Sequence, residues 1–192
     1  EAEAELIKVK RRAEEAEAKL RAAEAKLRAE KERPAAHKPD TPPRKQEYPK
    51  QIAAMIAKAG DEGWTTLDLS RKGLRSLPPE IGNLTALTRL WLHDNHLTAL
   101  PPEIGNLTSL TELNLSRNKL KELPPEIGNL TSLTELYLWN NQLTALSPEI
   151  GNLTSLKVLD LSYNEKLKEL PPEMKKLVDR GVVHLSGNPL KD

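Results

Sequence analysis

Leu77-Pro78-Pro79-Glu80-Ile81-Gly82-Asn83-Leu84-Thr85 returns at Leu100, at Leu123 and, with Ser147 in place of the first proline, at Leu146. The interval is 23 residues each time. Self-similarity at a fixed short period marks a stack of equivalent units, none of which can bury its apolar face alone. From this register the repeats run 64–86, 87–109, 110–132, 133–155 and 156–179, the last with one extra residue near Glu165, and a truncated unit follows at 180–192.

Between the proline segments lies a second signature, Leu110-x-x-Leu113-x-Leu115-x-x-Asn118-x-Leu120. The in-and-out alternation around Leu113 and Leu115 has the period of a strand, so successive repeats are expected to add strands to one parallel sheet. Leu123, Ile127 and Leu130 are expected to point inward on the return path, where the prolines forbid a regular α-helix. Asn95, Asn118, Asn141, Asn164 and Asn188 recur at one register position, which Lys72 holds in the first repeat. An interior amide is costly unless its hydrogen bonds are satisfied. These asparagines therefore read as bonded to the backbone of the bend and of the next coil, with a structural and not a ligand-binding task.

The pattern resembles the leucine-rich-repeat family over about residues 64–190, and its 23-residue Leu-Pro-Pro-Glu-Ile-Gly form is most similar to intracellular Ras-suppressor-like and Roco-type repeats. The resemblance implies an α/β solenoid, a curved horseshoe whose concave face is a parallel sheet used to bind other proteins. Two departures stand out. The phenylalanine many members stack along the outer spine is absent, and so are the flanking cysteine clusters of extracellular members.

The ends of such a stack need covers. Residues 51–63 are expected to supply a short N-terminal capping helix, with Ile52, Met55, Ile56 and Ala59 at helical spacing and Gly60 as its stop. Trp64 replaces a leucine of the later repeats and is expected to seal the first coil. At the rear, Lys175, Lys176, Asp179 and Arg180 replace the apolar-rich pattern.

Two further segments precede the cap. Residues 1–33 are almost wholly Ala, Glu, Lys, Arg and Leu, the composition of a long helix of about 50 Å. Leu6, Ala13, Leu20 and Leu27 form a heptad seam with Val9, Ala16 and Ala23. The seam is thin, so a solvated, charge-laced helical arm and a coiled-coil arm docking on a partner helix both stand open. Residues 34–50, with Pro34, Pro39, Pro42, Pro43 and Pro49, read as an extended linker; a polyproline recognition motif is the lesser reading.

Balanced charge, 29 basic against 28 acidic residues, gives no electrostatic case for nucleic acid. Residues 1–50 carry 14 basic and 11 acidic residues, too mild an asymmetry to alter that. No apolar run approaches a membrane span and no secretory leader is read. The absence of cysteine excludes disulfides and thiolate chemistry. An intracellular, cytoplasmic location is expected.

The sequence has only six aromatic residues and no phenylalanine. Leucine supplies the core, which frees the rings for other work. The two outward strand positions of each repeat are expected to be Asp68/Ser70, Trp91/His93, Asn114/Ser116, Tyr137/Trp139, Asp160/Ser162 and His184/Ser186. Trp91, His93, Tyr137 and Trp139, with Tyr163 one place beyond Ser162, form a candidate partner-binding patch on the concave face. Arg89, Glu112 and Glu135 contribute a rim of both charge signs, together with Arg117, Asp94 and Lys157.

Catalytic motifs are not found, and no cofactor or metal is expected. His93 and His96, three apart, have the spacing of metal ligands. The register sets one on the strand and the other past the bend, so they are expected to diverge. Asn83, Asn106, Asn129 and Asn152 each begin Asn-Leu-Thr, and Asn114 begins Asn-Leu-Ser; these fit the glycosylation pattern but arise from the repeat itself. The function expected is a non-catalytic protein-interaction module. The alternatives are a structural subunit anchored by its arm and linker, and a designed or consensus scaffold without a natural partner.

Overall fold

A computed structural model describes residues 50–190 of the 192-residue chain. The expected helical arm at 1–33 and all but the last residue of the proline-rich segment lie outside the described residues.

Helix α1 (Lys50–Asp61) buries Ile52, Ile56 and Ala59, the stripe read from the sequence. Gly60 does not stop it. Gly60 sits within the last turn, where an added Cβ would lie 3.3 Å from Leu84, and the chain reverses instead at Gly63, whose φ of 63° suits a residue without Cβ. Trp64 follows, partly buried against the core, with its indole N–H donating to Glu62 at 2.9 Å.

Six strands then form one sheet in chain order: β1 (Thr66–Asp68), β2 (Arg89–Trp91), β3 (Glu112–Asn114), β4 (Glu135–Tyr137), β5 (Val158–Asp160) and β6 (Val183–His184). All pairings are parallel and in repeat register, so that Leu67, Leu90, Leu113, Leu136 and Leu159 stack in one inward column. The ladder runs past the short strands, with Leu92 N–H on Asn114 O and Asp94 N–H on Ser116 O, repeated one coil later by Leu115 and Arg117. The parallel sheet of the expected solenoid is present.

The return path is a one-turn 3₁₀ segment in each of four repeats: Pro79–Asn83, Pro102–Asn106, Pro125–Asn129 and Pro148–Asn152. Proline at the start of the turn loses no bond, because its missing N–H has no partner there in any case. Leu123, Ile127 and Leu130 are buried as expected. The glycine is needed for closeness. A Cβ on Gly105 would lie 2.6 Å from the carbonyl oxygen of Glu126 in the next coil, and Gly82, Gly128 and Gly151 are crowded in the same way. In the fifth repeat Lys175 takes that place. No further return turn packs on it among the described residues, and the chain passes from Pro172–Met174 into helix α2 (Lys175–Asp179). Arg180 then donates to the carbonyls of Thr154 and Leu156, at 2.7 and 2.6 Å.

The asparagine ladder is present, but it joins each bend to the preceding coil and not, as expected from the spacing, to the next one. Asn118 Oδ1 accepts the N–H of Leu97, and its Nδ2 donates to the carbonyls of Leu92 and Leu115, each at 3.0 Å. Asn95, Asn141 and Asn164 repeat this set, and Asn188 accepts from the N–H of Asn164.

Replacing Asn118 by Ala strands backbone groups of two coils and is expected to cost about 1–3 kcal/mol in unfolding free energy. Unchanged thermal unfolding would remove the ladder from the account. Gly105→Ala forces two return turns apart and is expected to cost about 1–3 kcal/mol in denaturant titration. A neutral result would show that the coils can slide.

Candidate functional site

Because the inward positions of each strand are leucine, the residues between them face out of the sheet. Three outward rows result. The first holds Thr66, Arg89, Glu112, Glu135 and Val158; the second holds Asp68, Trp91, Asn114, Tyr137, Asp160 and His184. Ser70, His93, Ser116, Trp139 and Ser162 form the third, just beyond the strand ends.

Trp91 and Tyr137 flank Asn114 in the second row. Neither ring is loose. The Trp91 indole N–H donates to Glu112 Oε1 at 2.8 Å across the β2–β3 pair, and Arg89 approaches the other Glu112 oxygen at 3.8 Å. The Tyr137 hydroxyl donates to Glu135 Oε2 at 2.9 Å along its own strand. Burial, reinforced by Glu135 and by the charges of Glu112 and Asp160, pushes the Tyr137 phenol up to about 12. Glu112 and Glu135 thus serve as fasteners of the rings, a closer role than the rim expected of them.

Trp139 is half-buried in the third row with the Arg117 guanidinium 4.8 Å from its ring centroid. Arg117 is itself drawn to Asp94 at 3.5 Å, and Asp94 to Arg71 at 3.4 Å. These residues share a backbone state that sequence reasoning missed. Arg71, Asp94, Arg117, Asn140 and Tyr163, one place before the ladder position in each coil, all have φ between 53° and 56°. The row Arg71, Asp94, Arg117 therefore steps along the margin of the sheet face and ends on Trp139. The signal was present only as the 23-residue spacing of 71, 94 and 117.

Tyr163, at 58 % exposure, stands apart from the three outward rows. Its ring packs over Gly187, where a Cβ would lie 2.8 Å from it, and shares with Trp139 a shallow depression of about 550 Å³ that Gln142, Glu165 and Lys166 help to line. The structure thus gathers Trp91, Arg89 and Glu112 into one group, Tyr137 and Glu135 into a second, and Trp139 and Tyr163 into a third. His93 is half-buried with its Nδ1 closed from solvent and unbonded, whereas His96 is exposed beyond the bend at Asp94. Among the described residues no group of three or more His, Asp or Glu side chains is placed to hold a metal ion. No helix among them is long and apolar enough to cross a membrane.

Comparison with known proteins gives the fold its family. A profile described as leucine-rich repeat region matches residues 65–178, more than half of the chain, and the chain belongs to the leucine-rich-repeat family. No curated protein matches it. Among solved structures, a leucine-rich-repeat protein of Leptospira interrogans is 30% identical with a TM-score of 0.51, over 72% of this chain and 52% of that one. A plant peptide hormone receptor, RGFR1 in complex with RGF2, is 38% identical with a TM-score of 0.56, over 66% of this chain and 21% of the receptor. The ectodomain of the receptor kinase SOBIR1 from Arabidopsis thaliana is 25% identical with a TM-score of 0.53, over 63% and 69%. The chain spans about half the length of the Leptospira protein and about a fifth of the plant receptor. Domains of this family are non-enzymatic scaffolds that generally mediate protein–protein interaction.

The Tyr137 phenol is expected to ionise near pH 12 by its phenolate absorbance, and Glu135→Gln to bring that midpoint down towards 10. Since the folded value lies above the unfolded one, this group's contribution to stability is complete below pH 10. It is lost as pH rises towards 12. A midpoint unmoved by Glu135→Gln would show that burial and the charges of Glu112 and Asp160 set it without Glu135.

Proposed function

We propose that this domain is a non-catalytic binding module that holds a partner protein on the outward, concave face of its sheet, with Trp91, Tyr137 and Trp139 as anchors. One observation carries the reading: these three rings occupy positions the leucine core does not use, and each is held by a neighbour, Glu112, Glu135 or Arg117. Aromatic side chains whose rotamers are fixed in advance lose little entropy on binding and are the usual energetic centres of interfaces. The similar plant receptor, whose structure is a complex with RGF2, supports use of such a repeat stack for holding a polypeptide. Within the family we assign the repeats to the Ras-suppressor-like and Roco-type class, on their 23-residue length and their Leu-Pro-Pro-Glu-Ile-Gly segment.

Cross-linked capture from the source cells with the full chain tests the reading. Trp91→Ala and Trp139→Ala are each expected to keep the circular dichroism of the parent and to weaken partner binding by more than about 1 kcal/mol. Binding that survives both substitutions would place the interface elsewhere.

A further inference from the structure

The chemistry of the partner is written in the acids that surround the rings. With the Trp91 N–H bound to Glu112 and the Tyr137 hydroxyl to Glu135, the polar groups of both rings are occupied, and both rings remain partly exposed. The first two outward rows carry four carboxylates, Asp68, Glu112, Glu135 and Asp160, against one guanidinium, Arg89. Of the four, only Glu112 lies within ion-pair distance of a cation among the described residues. Asp68 accepts from Ser70, Asp160 from the N–H of Ser162, and Glu135 from Tyr137. Basic side chains stand at the edges, Lys157 before β5 and Arg117 on Trp139, and the His184 ring lies opposite Asp160 without an ion pair.

Tyr137 is the centre of this arrangement, with Glu135 two residues back on β4 and Asp160 directly across on β5. Its raised pKa reports the same negative surroundings, after burial. Ser116 in the third row, closed from solvent between His93 and Trp139 with its hydroxyl unpaired among the described residues, takes no part in this group.

Resting on the reading above, we infer that the face around Tyr137 takes an extended segment of a partner protein that bears lysine or arginine. The cation lies between Glu135 and Asp160, and its aliphatic stem rests on the Tyr137 ring. A ring beside two carboxylates meets both halves of such a side chain: the apolar stem covers the ring, and the charged head meets the acids and the π-face. An acidic segment would meet uncompensated like charge at the same place, a cost that selects against it.

The test uses the full 192-residue chain, isotope-labelled, and three synthetic peptides of equal length, alternating glycine with lysine, glutamate or serine. The lysine peptide is expected to shift the indole N–H resonance of Trp139, leave that of Trp64 at the far end of the repeats unmoved, and bind more weakly as salt rises. In the double variant Glu135→Gln/Asp160→Asn, which keeps both hydrogen-bond acceptors, its dissociation constant is expected to rise about fivefold or more. The three indole signals show directly whether the variant is folded. Equal shifts from the glutamate or serine peptide, or an unchanged dissociation constant in the variant, would overturn the cationic assignment while leaving the face as a binding surface. Silence of the Trp139 signal towards all three peptides would also overturn it. The wider reading is then decided separately by the capture experiment with the two tryptophan variants.

Discussion

A single amide set between adjacent coils fixes where everything else in this domain can go. Asn118 takes a donor from the preceding coil with its oxygen and gives its nitrogen's protons to the carbonyls of Leu92 and Leu115, one from each coil. A slip by one residue would break all three bonds and turn the inward leucines outward, so the ladder enforces the 23-residue register against neighbouring alternatives. The first coil has Lys72 where the amide should be, yet its bend is not left open. Asn95 of the next coil accepts the N–H groups of both Lys72 and Leu74. The chain can therefore begin the ladder without an asparagine of its own, because the bonds point backward along the stack.

The periodic part of this design was legible in the sequence because it consists of residue types with one purpose each. Leucine at strand spacing can only mean a buried column, and an interior asparagine only a satisfied amide. What stayed hidden depends on contacts between coils. Arg71, Asp94, Arg117, Asn140 and Tyr163 share a left-handed backbone but no chemistry, and only two of the five are residue types that favour it. The reason for Gly105 is equally remote, since its crowding neighbour, Glu126, belongs to the next coil. Lys175 makes the point from the other side: where no return turn packs outside it among the described residues, a long side chain is accepted.

The candidate site shows the same division. Alternation alone assigned Trp91, His93, Tyr137 and Trp139 to the outward rows. It was silent on how they are fastened, because one fastening crosses strands and the other does not. Trp91 reaches Glu112, 21 residues on, whereas Tyr137 turns to Glu135 on its own strand. Two acids at the same register position thus hold two rings by different geometry. Tyr163 escaped the alternation entirely, because it sits on the left-handed bend where the period of two has already ended.

If the outward rows hold the partner as proposed, stability and recognition are nearly separable in such a stack, since the inward columns set the first. The left-handed row is where they meet. A residue with a Cβ in that conformation is disfavoured by about 1–2 kcal/mol relative to the right-handed one, and here the ladder bonds on either side offset it. Glycine would relieve the backbone at Arg117, but it would also remove the guanidinium that joins Asp94 to the Trp139 ring. The strain at this position is thus tied to the posture of a proposed anchor: the residue on the bend beyond β3 also carries the side chain that steadies the Trp139 ring. On the proposed reading, substitutions that leave the leucine columns untouched would alter partner binding through this row, by way of the backbone that the asparagines hold in place.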